Sequence, residues 1–92
     1  MHAGATFASL NAFGRASTDK DLLTVIHELR IPRLAAIAFQ ELDHVQGRLG
    51  KDDEFHSVGK GWYALRHYCD GGWAYGLAIR KKMAFASERF CA

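Results

Sequence analysis

The sequence predicts a small α/β domain of α+β-like character, a βαβ unit with an antiparallel hairpin beside it. Three observations predict it. An unbroken apolar run, Leu34-Ala35-Ala36-Ile37-Ala38-Phe39, has the length and burial signature of a core strand. Leu22, Val25, Ile26 and Leu29 recur at i, i+3, i+4 and i+7, the stripe of an amphipathic helix. Asp70-Gly71-Gly72 is a turn signal between two strand-like segments.

Each element follows in order. Ala5 to Asn11 alternate loosely around Phe7 and Leu10 and read as a first strand ending at Asn11. Gly14-Arg15-Ala16-Ser17 is a loop. Ser17 or Thr18 suits a helix N-cap, and Asp19 and Asp21 suit the dipole of the first turn. Pro32 should end the helix, because a residue before proline is pushed out of helical geometry. Leu34 to Gln40 follows as the second strand. Strand, helix and strand in so short a span predict parallel strands with a right-handed crossover. Leu42 to Leu49 suits a short helix and Gly50 to Glu54 a polar loop. Phe55 to Val58 suits a brief strand, with Trp62 to Tyr68 and Ala74 to Arg80 forming the hairpin. Met83 to Phe90 shows no clear period.

Composition bounds the function classes. The chain has 92 residues, 49% hydrophobic and 24% charged, too apolar and aromatic for a disordered segment. A net charge of +2 does not by itself argue for a polyanion partner. No apolar stretch approaches the roughly 20 residues of a membrane span. Met1-His2-Ala3-Gly4 lacks the cationic start and apolar core of a secretory signal, so an intracellular protein, nuclear or cytoplasmic, is expected. Cys69 and Cys91 lie outside any CxxC pattern and suggest neither a zinc site nor a disulfide framework.

The second strand is apolar on both faces and needs cover on both. One long helix covers one face. The other face calls for a second sheet, another copy of the chain or a partner, so residues 1–92 are expected to form a partial domain.

That same strand ends abruptly in Gln40-Glu41. A lone buried carboxylate costs several kcal/mol, roughly, unless it is paired, hydrogen-bonded or bound to a cation. Open α/β sheets bind ligands beyond the carboxyl ends of their strands. The plainer alternative is that Glu41 caps the following turn. If the two strands are adjacent and parallel, Asn11 and Glu41 project at one edge, where an amide beside a carboxylate suits a hard ion such as Mg²⁺.

Ser9-Leu10-Asn11, Ala36-Ile37-Ala38-Phe39-Gln40-Glu41 and Gly71-Gly72-Trp73-Ala74-Tyr75-Gly76-Leu77-Ala78-Ile79-Arg80 together resemble the opening pattern of the endonuclease/exonuclease/phosphatase superfamily, the DNase I-like metal-dependent phosphoesterases. Gln40-Glu41-Leu42-Asp43 is similar to the motif of the deadenylase-type members, and the late hairpin looks like those of non-LTR retrotransposon endonucleases. The resemblance spans roughly residues 5 to 85. It implies the first half of a four-layer sandwich. Glu41 then matches the principal metal-binding carboxylate, and Asn11 the amide that orients the site and contacts metal or phosphate. Mg²⁺, or Mn²⁺ in its place, would be the cofactor and nucleic acid the substrate class. The later catalytic groups of such enzymes have no counterpart here, and no Ser-Asp-His motif surrounds His44, His56 or His67. The resemblance therefore implies an N-terminal portion, inactive alone, whose absent C-terminal half would also cover the second strand.

Other features have plainer readings. Trp62, Tyr63, Tyr68, Trp73 and Tyr75, with Arg66 and Arg80 between them, suit cross-strand packing better than a stacking surface for single-stranded nucleic acid. Arg80-Lys81-Lys82 suits a solvated strand end, and Asp52-Asp53-Glu54 a solvated loop. Asp43 and His44 suit a surface turn, the alternative for either being a supporting place behind Glu41. The alternative function, of another class, is a non-catalytic module that self-associates or binds a protein through its uncovered sheet face; a third is a small nucleic-acid binder that uses the hairpin aromatics and Arg80-Lys81-Lys82.

Overall fold

The computed structural model describes residues 4–45, 54–69 and 71–82. The elements are β1 (Thr6–Asn11), α1 (Asp19–Leu29), β2 (Leu34–Gln40), β3 (His56–Gly59), β4 (Trp62–Tyr68) and β5 (Ala74–Arg80). They form a mixed α+β fold with a five-stranded sheet in the order β1-β2-β5-β4-β3. β1 and β2 pair in parallel, and every other neighbouring pair is antiparallel. The βαβ unit and the hairpin beside it are both present.

The helix starts where its cap chemistry dictates. Thr18 is extended at the N-cap, and its hydroxyl accepts from the Asp21 N–H at 3.0 Å. The helix ends earlier than the proline alone requires. Arg30 takes a left-handed conformation, φ 50°, and its N–H donates to the His27 carbonyl. Pro32 lies beyond an end that is already made.

Cross-strand partners share a face, so the registers sort the side chains. Ile37, Ala78 and Ala64 lie opposite one another on one face, as do Phe39, Gly76 and Arg66. Leu22 and Ile26 of α1 are buried in one cluster with Ile37, Phe39, Trp62 and Ala64. This is the inner face. Ala36, Ala38, Leu77, Ile79, Tyr63 and Leu65 alternate onto the outer face, joined by Phe7 opposite Ala36. There Ala38, Leu77 and Phe7 are exposed. The double-sided apolarity of β2 is met by cover on the inner face, while the described residues leave the outer face open.

The expected helix over Leu42 to Leu49 is not formed in its described part. Leu42 N–H donates to the Ala74 carbonyl, Ala74 N–H to the Asp43 carbonyl, and Val45 N–H to the Gly72 carbonyl. These bonds extend the β2–β5 pairing, and a backbone that donates to a neighbouring strand is not free to close helical turns. Residues 46–49, most of the Gly50–Glu54 loop, Met83 to Phe90, Cys91 and the Asp52-Asp53 pair lie outside the described residues.

Candidate functional site

The site forms where the parallel pair ends. Asn11 lies opposite Gln40, one residue before Glu41. Beyond Phe39, opposite Gly76, the chain uses one additional residue before Leu42 bonds to Ala74. Glu41 absorbs this irregularity with φ 52°, a left-handed conformation rare for a non-glycine residue. Bulge-like extra residues of this kind re-aim a side chain and are common beside functional sites.

The rim is fixed from both strands. Ala12, Gly14 and Ala16 N–H groups donate in turn to the carbonyls of Gln40, Glu41 and Leu42, at 2.8, 2.7 and 3.0 Å. The Asn11 side-chain amide then donates from Nδ2 to Glu41 Oε2, across thirty positions of sequence. Its oxygen Oδ1 accepts the Phe13 N–H at 2.8 Å. Both side chains are half-buried. The two expected site residues therefore meet at one rim.

Their hydrogen bonds divide the roles. A backbone N–H on one side and a carboxylate on the other fix which end of the amide is oxygen and which is nitrogen. Asn11 turns its N–H, not its oxygen, toward Glu41. It acts there as a donor that orients the carboxylate, and the oxygens left available at the rim are those of Glu41. No Lys or Arg among the described residues pairs with Glu41, and no group of three or more His, Cys, Asp or Glu residues among them is placed to hold a metal. Mg²⁺ commonly keeps several waters and is bound through one or two carboxylates. A half-buried carboxylate without a cationic partner among the described residues suits that mode, and Glu41 is the residue that could hold such an ion.

The neighbours are aromatic. His44 and Trp73 rings lie 4.7 Å apart and are tilted by 47°, and His44 Nε2 is 2.8 Å from the Gly71 carbonyl oxygen. Phe13, beside Asn11, is largely exposed. Asp43 is not a surface turn residue. It is half-buried, and its carboxylate accepts the Tyr68 hydroxyl at 2.8 Å and the His44 N–H at 2.8 Å. Those bonds engage it on the hairpin side.

The aromatic-and-arginine set does not act as one surface. Trp62 and Tyr68 are buried, Tyr63 is half-buried, and Trp73 and Tyr75 are exposed. Arg66 departs most from expectation. It is only 6% exposed, and both terminal guanidinium nitrogens are buried without a hydrogen-bond partner among the described residues. Register explains its burial, since Arg66 faces Gly76 and Phe39 on the inner face. Strict alternation from Trp62 through Ala64 was the sequence signal for it. His44, His56 and His67 are exposed, and His56 pairs with Asp19 at 3.3 Å near the helix start. Cys69 is a half-buried free cysteine.

No protein-family model, curated protein or solved structure matches this chain. Among the described residues, no helix is long and apolar enough to cross a membrane.

Proposed function

We propose that the Asn11–Glu41 rim is the divalent-cation corner of a DNase I-like phosphoesterase fold, carried on an N-terminal portion of that fold. One observation carries the reading: the Asn11 amide donates to the Glu41 carboxylate where the parallel strands end. Glu41 would hold Mg²⁺ or Mn²⁺. Asn11 keeps the carboxylate aimed, and the N–H bonds of Ala12 and Gly14 keep the rim from relaxing. A bound ion would polarise a phosphoryl oxygen and offset charge building on the phosphate. The sequence has a single asparagine, Asn11, and no Ser-Asp-His element, so the groups that would activate water are absent. The chain binds the ion and does not hydrolyse nucleic acid by itself.

The test is Mn²⁺ titration of the labelled chain by NMR, beside Glu41→Gln. Paramagnetic broadening should centre on Asn11 and Leu42 and disappear in the variant. Broadening that ignores the substitution, or none at all, sinks the ion site. A parallel assay on DNA and RNA with Mg²⁺ should show no cleavage; robust cleavage lost in Glu41→Gln would overturn the claim of inactivity alone.

The second reading is a non-catalytic interaction module. Phe7, Ala38, Leu77 and Tyr75 favour it, because all are exposed and share the outer face. Sedimentation showing a stable dimer, together with silence toward Mn²⁺, would favour this reading over the first.

A further inference from the structure

At the opposite end of the sheet, α1 and the strands border an open groove of about 880 Å³. Its floor is apolar: Ile26, Leu34, Val58 and Trp62 line it and are all buried. Its rim is basic. Lys20, Arg30, Lys60 and Arg80 face a single carboxylate, Glu28. That local excess is larger than the net +2 of the whole chain, so the sequence concentrates its positive charge here.

Arg80 is held in place for reading an anion. Its Nε donates to the Leu34 carbonyl at 2.8 Å, and its guanidinium carbon lies 4.5 Å from the Trp62 ring centroid. Stacking and one hydrogen bond fix the plane of the guanidinium, and its terminal nitrogens make no hydrogen bond to a described residue. A guanidinium fixed this way loses little freedom when it donates to a carboxylate.

We propose that this groove binds a small amphiphilic carboxylate, with its apolar chain on the floor of the groove and its head group at the basic rim. The volume falls within the roughly 300–1,000 Å³ of small-ligand sites, and an apolar lining with a few placed polar groups is their usual chemistry. Charge complementarity selects the anion. The proposal is independent of the Asn11–Glu41 rim.

Decanoate below its micellar concentration is the probe, followed by NMR on the full chain, with decanol as the uncharged control. The chain has two tryptophans, one at each end of the hairpin. The Trp62 indole N–H should shift with decanoate while that of Trp73 stays still, and decanol should bind about tenfold more weakly. Lys60→Gln combined with Arg30→Asn should weaken decanoate about tenfold, as the loss of two partly exposed ion contacts allows. Asparagine is chosen because it tolerates the left-handed cap at position 30. Equal binding of decanol, unchanged affinity in the double variant, movement of Trp73 instead of Trp62, or no binding would each overturn the proposal.

Discussion

The two faces of this sheet are built from similar residues and treated in opposite ways. On the inner face Ile37, Phe39, Ala64 and Ala78 are sealed beneath α1 and the segments that flank it, each 2% exposed or less. On the outer face Leu77 is 37% exposed, Tyr75 45% and Phe7 67%. Apolar sequence alone does not make a core. What separates the faces is cover: α1 and the loop that leads into it, which buries Ala12 and Ala16 in the same cluster, lie on one side, and the described residues place no element on the other. The inner face tolerates little change because it is close-packed, and the outer face should tolerate much until something docks on it.

Substitutions on each face break or sharpen this contrast. The largest effect belongs to Phe39→Ala, which empties a fully buried ring site and should cost about 3–5 kcal/mol in urea unfolding; a loss below ~1 kcal/mol would deny that the inner face is the core. Gly76→Ala comes next. An added Cβ would collide with the Leu42 side chain and lie 2.8 Å from the Leu65 carbonyl oxygen, which is backbone and cannot easily give way. Overpacking of this kind should cost about 3 kcal/mol, and a neutral result would place Leu42 elsewhere.

Arg66→Met is smaller and opposite in sign. Removing a buried guanidinium with unsatisfied nitrogens should stabilise the fold by about 1–3 kcal/mol. A loss of stability would mean that Arg66 has a partner the inner-face geometry does not reveal. The smallest effect is on the outer face, where Phe7→Ser and Leu77→Ser should each change monomer stability by no more than about 0.5 kcal/mol. If both instead destabilise strongly and abolish a sedimenting dimer, the open face is an interface between copies.

The sequence carried most of the elements because their signals are local. A threonine cap, an i, i+4 stripe and a diglycine turn act over a few residues, and each formed where its chemistry required. The strand bounds at Gln40, Trp62, Tyr68 and Arg80 were legible for the same reason. Leu42 to Val45 misled because its pattern is compatible with a helix, while its backbone donors are claimed by Ala74 and Gly72, some thirty residues away. The end of α1 misled in a smaller way, because the left-handed turn at Arg30 acts before the constraint from Pro32. Arg66 was hidden by its residue type, since arginine is rarely buried, and only the alternation through Trp62 and Ala64 pointed inward.

The candidate site was legible in its residues but not in their roles. A carboxylate closing an apolar strand and an asparagine closing another mark Glu41 and Asn11 from sequence alone. That the amide presents its N–H to the carboxylate follows from the Phe13 N–H occupying its oxygen, a contact set by the turn after β1. By itself the sequence determined the strands, the helix and the residues at their ends, because capping, periodicity and turn chemistry are short-range. Only the tertiary structure decided which sheet face is covered, where Glu41 is aimed and which basic residues line one groove. Those depend on register and on the packing of distant segments, which no local pattern encodes.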